Sequence, residues 1–205
     1  MTARAPKMGS VAGIVLAGGR SRRMGEPKAL LRVEGTTFLE RAIRVLVEGG
    51  CDPVVVVVPT GETGQGLLTL AERAGARGIL NPDPEAEQID SLRHGLHALD
   101  PAVLGAAVLP VDHPRVRAAT VAALLAAFRE SGAPVVRPVH GERPGHPVLF
   151  GREVWGELEA PDLESGARDI VHRHHDELHE VMVDDPGIAI DVNTREEYGR
   201  EVETA

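Results

Sequence analysis

The chain is poor in several residue types, and each shortage narrows what it can be. A single cysteine, Cys51, in 205 residues leaves no intrachain disulfide and no cysteine cluster for zinc. Aromatic residues make up only 2 %, too few to build the stacking platforms that hold single-stranded nucleic acid. Positive charge is in deficit: 22 Lys and Arg face 31 Asp and Glu, a formal −9, which also argues against a nucleic-acid partner. No apolar run approaches the roughly 20 residues of a membrane span, so no membrane partner is expected. The first eight residues lack the apolar core of a secretory signal. The expectation is a cytoplasmic protein with residues 1–8 as a disordered tail and 9–205 as one domain. Apolar residues at 42 %, mostly Ala, Val and Leu, suffice for its core.

Against this acidic background one stretch is locally basic. The uncharged run Val11-Ala12-Gly13-Ile14-Val15-Leu16 suits a strand buried on both faces, as in a parallel sheet. It feeds into Ala17-Gly18-Gly19-Arg20-Ser21-Arg22-Arg23-Met24-Gly25-Glu26-Pro27-Lys28. Gly18 and Gly19 allow backbone approaches that a side chain would forbid. Arg20, Arg22, Arg23 and Lys28 add four cations within nine residues. Backbone N–H groups in a glycine turn plus cations make a cradle for a polyphosphate. Neither Gly-x-x-x-x-Gly-Lys-Ser/Thr nor Gly-x-Gly-x-x-Gly occurs here, so two common phosphate loops are excluded.

The rest of the chain alternates strand and helix signals. Thr36 or Thr37 can cap a helix to about Val47, and Pro53 to Val58 reads as a second buried strand. Thr60 to Gly66 reads as a flexible loop before a helix over Leu67 to Ala74, and Gly78-Ile79-Leu80 as a short strand. Asp90 can cap a helix carrying Leu92, Leu96 and Leu99. Ala106 to Leu109 is a strand and Val116 to Phe128 a helix, with strands at 134–136 and 147–150 and a helix at 166–174. Leu178 to Val183 and Ile188 to Val192 are expected to close the sheet, with Thr194 capping a last helix. Such alternation implies an α/β fold: a doubly wound, mostly parallel sheet with helices on both faces. Ligands in such folds sit at the carboxyl ends of the strands, where the glycine turn lies.

Two further places carry chemistry. Asp112, in Leu109-Pro110-Val111-Asp112-His113-Pro114, directly follows a buried strand; it is either a turn cap or a carboxylate facing the glycine turn. In Ile190-Asp191-Val192-Asn193-Thr194, strand alternation puts Asp191 and Asn193 on one face, while Asn193 or Thr194 equally suits a helix cap. His172, His174, His175 and His179 cluster near Asp176 and Glu177, but their spacing does not put three ligands on one helix face, so a solvated helix end is the expectation.

Leu16-Ala17-Gly18-Gly19-x-Ser21-x-Arg23-Met24-Gly25-x-x-Lys28 resembles the signature of the MobA-like nucleotidyltransferases, which attach a nucleotide to molybdopterin, and their relatives. The likeness runs from Ala12 to Tyr198 and implies a Rossmann-like nucleotidyltransferase fold. It implies that Leu16, Ala17, Gly18, Gly19, Arg23 and Lys28 bind the NTP, with Arg23, Lys28 and Asp112 catalytic. It implies Mg²⁺ at Asp112 with Asn193 or Asp191, Asn193 being nearer the strand's end. Asn81…Ser91-Leu92-x-x-Gly95-Leu96 resembles the segment beside base and ribose, where Asp90 and Ser91 would present free N–H groups. His146, in a Gly-x-Pro-x-x-Phe element, and Arg168, in Gly-Ala-Arg, fall on the acceptor side by the same likeness. A surface salt bridge is the other reading of Arg168.

The branches divide on the nucleotide. Gly18-Gly19 resembles the GTP-using branch, whereas the acceptor-side elements and Asp191-Val192-Asn193-Thr194 resemble the cytidylyltransferase branch. The expectation on this balance is CTP transfer to molybdopterin. The alternatives are guanylyl transfer, a sugar-1-phosphate acceptor, or a nucleotide-binding regulatory module without turnover.

Overall fold

The computed structural model describes residues 9–19, 24–83 and 85–203. Strand β1, Val11–Leu16, is buried along its whole length and lies between β4 (Val54–Pro59) and β6 (Gly105–Pro110), parallel to both. After β1 the chain makes a short 3-10 turn, Lys28–Leu30, and a two-strand ribbon, β2 (Arg32–Val33) and β3 (Thr36–Thr37). Glu34 and Gly35 both take positive φ there, the conformation of a tight hairpin turn matched to strand twist. Helix α1, Phe38–Glu48, starts on a capping box: Thr37 accepts from the Glu40 N–H and Glu40 accepts from the Thr37 N–H.

Helix α2, Gly61–Arg73, starts six residues earlier than the sequence suggests. The expected loop over 60–66 reflected three glycines of low helix propensity. Packing overrides it: a Cβ on Gly64 would lie 1.8 Å from the Pro59 carbonyl oxygen, so glycine lets the first turn seat against the end of β4. Strand β5, Arg77–Asn81, then pairs parallel with β4. Helix α3, Gln88–His97, is capped by Glu87 rather than by Asp90. Asp90 is the third helical residue of that box and accepts from the Glu87 N–H.

Helix α4, Ala118–Ser131, ends on Gly132 in the left-handed conformation. Strands β7 (Val135–His140), β8 (Arg143–Pro144) and β9 (Val148–Gly151) follow, then α5 (Trp155–Leu158), α6 (Ala167–Arg173), β10 (His179–Met182) and α7 (Arg195–Tyr198). The strand order is β10-β7-β9-β6-β1-β4-β5, with β8 on β7. Strand β9 runs antiparallel to both of its neighbours, and β8 antiparallel to β7, which makes the mostly parallel sheet mixed.

The predicted strand over Ile188 to Val192 does not form. Pro186–Ala189 is a 3-10 turn, begun by Asp185 accepting from the Gly187 N–H, and 190–193 has no strand pairing. It is tied across instead, Val192 N–H to the Asp112 carbonyl at 2.9 Å.

Helices cover both faces of the sheet. Alternation along β4 sends Val54, Val56 and Val58 into one core with α1, α2 and α4. It sends Val55 and Val57 into the other with α3, α5 and α6. Val55 to Val58 are fully buried, worth roughly 1.5–3 kcal/mol each. The all-valine run is therefore two half-cores sharing a strand, and it holds rigid the sheet edge at which the chemistry sits.

Candidate active site

At the carboxyl ends of β1, β4, β5 and β6 lies a cleft of about 840 Å³. Its walls are Leu16 to Gly19 after β1, Pro59 and Thr60 after β4, Asn81 ending β5, and Pro110 to Asp112 after β6. The first turns of α2 and α3 and the Gly25–Ala29 segment close the sides, and Asn193 enters from the far end of the chain. The backbone after β1 continues the sheet for one more step: the Ala17 N–H donates to the Val57 carbonyl, and the Val111 N–H to the Leu16 carbonyl. The glycine turn and Asp112 are thus held in register before any ligand arrives.

Lys28, Asp112, Asn193 and Asp191 form one chain of contacts. Lys28 Nζ donates to Asp112 Oδ2 at 2.9 Å and to Asn193 Oδ1. Asn193 Nδ2 donates to Asp191 Oδ2. An ammonium only donates and a carboxylate only accepts, so these two neighbours dictate the orientation of the amide: its carbonyl faces Lys28. Glu197 fixes the backbone below, accepting from the Asn193 N–H at 2.7 Å and the Thr194 N–H at 2.9 Å. These two N–H donors, the Asn193 one foremost, hold the Glu197 carboxyl below the usual carboxylate range. Thr194 caps α7 by accepting from the Glu197 N–H, so the capping and site readings of this segment coexist. Asp112 is no cap: its carboxylate is spent on Lys28.

Asp112 and Asn193 present oxygen only, the donor type that suits a hard divalent cation holding most of its waters. Asp191 stands behind the Asn193 amide and outside the cleft lining. Among the described residues no three His, Cys, Asp or Glu side chains gather in a way that would hold a metal. Arg23, expected beside the triphosphate, lies outside the described residues with Arg20 to Arg22, as does the expected tail over 1–8.

On the opposite wall Asn81 and Ser91 are both buried and bonded to each other, Asn81 Nδ2 to Ser91 Oγ at 3.1 Å. Asn81 Oδ1 also accepts the Asp83 N–H, which shapes the turn after β5. The expected free N–H groups at Asp90 and Ser91 are already spoken for. The Glu87 side chain takes the first, and the Ser91 N–H donates to the Glu87 carbonyl at 3.3 Å. Gly18 faces this wall: a Cβ there would sit 3.0 Å from Ser91 Oγ, so the bare backbone passes close to the hydroxyl.

His146 and Arg168 do not line this cleft. His146 packs tilted against His113, ring centroids 4.5 Å apart, after a backbone bond from its N–H to the Ile188 carbonyl. Nδ1 of each ring is buried without a hydrogen-bond partner. Burial, then the neighbouring ring, pushes His146 down to about 4, and burial likewise lowers His113, so both are neutral at pH 7. Arg168 is exposed at the start of α6, near enough for its charge to bear on His146. The spacing of His113 from His146 in sequence hides this pair. Of the clustered histidines, His174 bonds Glu157 at 2.7 Å and Glu177 at 3.3 Å, while His172, His175 and His179 are exposed. Cys51 is buried, its thiol pushed up to about 12 by desolvation.

A doubly wound α/β sheet with a glycine turn, a lysine and an oxygen pair at its carboxyl edge defines a nucleotide-binding protein of the Rossmann-like type. The model of the MobA-like NTP transferase domain matches residues 13–178, and the chain belongs to that family. A probable molybdenum cofactor guanylyltransferase of Opitutus terrae is 38 % identical over 141 residues, covering 66 % of this chain and 64 % of the relative. The match thus spans less than two thirds of that relative's length. Rv0371c of Mycobacterium tuberculosis H37Rv superposes with a TM-score of 0.83 at 28 % identity, over 96 % of this chain and all of that one. A manganese complex of the same mycobacterial protein superposes at 0.74 and 25 % identity, over 96 % of this chain and 100 % of the other. A divalent metal therefore has precedent on this fold. Among the described residues no helix is long and apolar enough to cross a membrane.

Proposed function

We propose that this protein is a cytoplasmic nucleotidyltransferase that moves GMP from GTP to the phosphate of molybdopterin and releases pyrophosphate. The observation that carries the transfer reading is the convergence of Lys28, Asp112 and Asn193 on the cleft that opens at the glycine turn. A cation and an oxygen pair at the phosphate end support transfer over mere storage or sensing of a nucleotide.

In this reading an acceptor phosphate oxygen attacks the α-phosphorus, the bond to the β-phosphate oxygen breaks, and pyrophosphate leaves from the glycine turn. An ionised phosphate is already a nucleophile, so no general base is required of the chain. Lys28 neutralises charge that grows on the transferring and leaving groups, and the N–H groups of the glycine turn orient the phosphates. Asp112 and Asn193 would hold Mg²⁺, which when bound adds positive charge over the phosphates. Asn81, Ser91 and Gly18 shape the base and ribose end.

Guanine as the base, the alternative weighed against cytosine in the sequence, rests on two supports. The Opitutus relative is named for guanylyl transfer. Gly18 leaves the wall beside Ser91 without a methyl group that would crowd a larger base. The acceptor-side elements around His146 and Arg168 favour the cytidylyl branch, and one measurement decides between them. With Mg²⁺ and molybdopterin, kcat/KM should favour GTP over CTP, and Gly18→Ala should narrow that ratio. A methyl-sized change is worth about 1–3 kcal/mol of discrimination. A wild-type ratio favouring CTP overturns guanylyl transfer. Absence of pyrophosphate release with every NTP and acceptor supports the regulatory module.

A further inference from the structure

Lys28 Nζ occupies the point on which the metal-type oxygens converge. It sits 2.9 Å from Asp112 Oδ2 and also bonds Asn193 Oδ1, oxygens of the two residues assigned above to the divalent ion. We propose that in the nucleotide-free protein the Lys28 ammonium stands in for the divalent cation, so that a triphosphate must draw Lys28 away before the metal settles, which puts nucleotide binding ahead of metal binding. The proposal rests on the transfer reading above and adds an order of events to it.

Three features carry it. First, a monovalent and a divalent cation cannot share one carboxylate oxygen at hydrogen-bond distance without strong repulsion. Second, the oxygens are held from several sides by other parts of the chain. Asp112 follows a fully buried strand, and its own carbonyl is pinned by the Val192 N–H. Asn193 is locked by Asp191 at its side chain and by Glu197 at its backbone. Lys28 reaches them on a flexible four-carbon stem from a 3-10 turn. The lysine is therefore the member that moves. Third, Lys28 and the glycine turn line the same cleft, so a bound triphosphate offers the ammonium a more highly charged partner than one carboxylate. Once Lys28 has turned to the phosphates, Asp112, the Asn193 carbonyl and Asp191 behind it form an uncompensated acidic pocket that favours a divalent cation.

The test is Mn²⁺ binding to the nucleotide-free full chain, read by electron paramagnetic resonance of the free ion. Three proteins are compared: wild type, Lys28→Met, which keeps the stem and loses the charge, and Lys28→Met with Asp112→Asn. Lys28→Met should bind Mn²⁺ at least tenfold more tightly than wild type, and the double variant should lose that gain. Lys28→Gln replaces Lys28→Met should the latter misfold. In a second arm a fluorescent GTP analogue should bind wild type in the presence of EDTA. Equal Mn²⁺ affinity in wild type and Lys28→Met overturns the displacement and leaves nucleotidyl transfer standing. Dependence of analogue binding on metal overturns the order. No Mn²⁺ binding in any of the three overturns the displacement together with the metal assignment. If the Mn²⁺ pattern holds while no NTP releases pyrophosphate, the transfer reading fails and the displacement stands.

Discussion

A lysine held between a carboxylate and an amide carbonyl at the mouth of a cleft contributes little to the fold. The Lys28 and Asp112 side chains keep 15 % and 23 % of their surface exposed, and ion pairs in contact with solvent are worth about 0–1 kcal/mol. Lys28→Ala should therefore melt within a few degrees of wild type. Its turnover should fall by about 2.7–4 kcal/mol of barrier, the usual worth of one charge-stabilising group in such a site. Steady-state pyrophosphate release, read beside a melting curve, checks both; turnover near wild type would remove Lys28 from the phosphate role. Lys28 and Asp112 stand out in the sequence because one sits in a basic stretch of an acidic chain and the other ends an apolar run. Their contact does not, since 84 positions separate them and only the pairing of β1 with β6 brings them together. The placement of Asn193 in the cleft and Asp191 behind it agrees with the nearness of Asn193 to the segment's end, but the local cause was hidden. Period-two alternation treats them alike, and what separates them is a carboxylate four residues on, Glu197, which takes the Asn193 N–H. The Thr194-x-x-Glu197 spacing of a capping box was the available signal.

At the scale of elements, errors in reading the sequence fall where packing or a cap outweighs local propensity. Strands β1, β4 and β6 were legible because full burial on two faces leaves a continuous apolar run. The second half of helix α2 was legible too, but its first six residues were not, because Gly64 is there for close approach to Pro59 rather than for flexibility. The last segment reads as a strand by pattern, yet it finds no sheet neighbour and serves as a strap. Asn193 bonds Lys28, Arg195 pairs with Glu26 at 3.1 Å, and Tyr198 Oη donates to the Arg32 carbonyl at 2.6 Å. The chain's end thus braces the segment that follows the glycine turn. A second brace joins α5 to the turn after α6 through His174. The hydrogen bond to Glu157, and then that to Glu177, raise its pKa above the ordinary value of 6.5. A raised folded pKa means the stabilisation is complete below the unfolded value and is lost as pH rises through the folded one. His174→Gln should lower the melting temperature at pH 6 and leave it nearly unchanged at pH 9. An equal loss at both pH values would show that packing, not charge, is what His174 contributes.

Over the whole molecule the alternation of strands and helices was enough to foresee a doubly wound sheet with its ligand edge at the strand carboxyl ends. The antiparallel insertion of β9 between β6 and β7 was beyond it, because a four-residue apolar strand carries no mark of its direction. That insertion has a consequence for stability. It brings His146, just before β9, onto His113, just after β6 and next to Asp112 in the chain. Burial keeps His146 neutral by pushing it down to about 4 from 6.5. For a base whose folded pKa is depressed, the unfolded chain takes up the proton first. Stability is then complete above about pH 6.5 and drains as pH falls toward 4. The fall is on the order of 2 kcal/mol by pH 5, before most carboxylates titrate. His174 acts with the opposite sign in the same range, since its protonated form is the one the fold favours. His113, lowered by burial as well, acts with the same sign as His146, so the wild-type curve combines opposing histidine contributions, and single variants separate them. Urea unfolding of His146→Gln between pH 7 and 5 should give a flatter stability profile than wild type, whereas His174→Gln should give a steeper one. A His146→Gln profile as steep as wild type would mean that the acid sensitivity of this fold resides elsewhere.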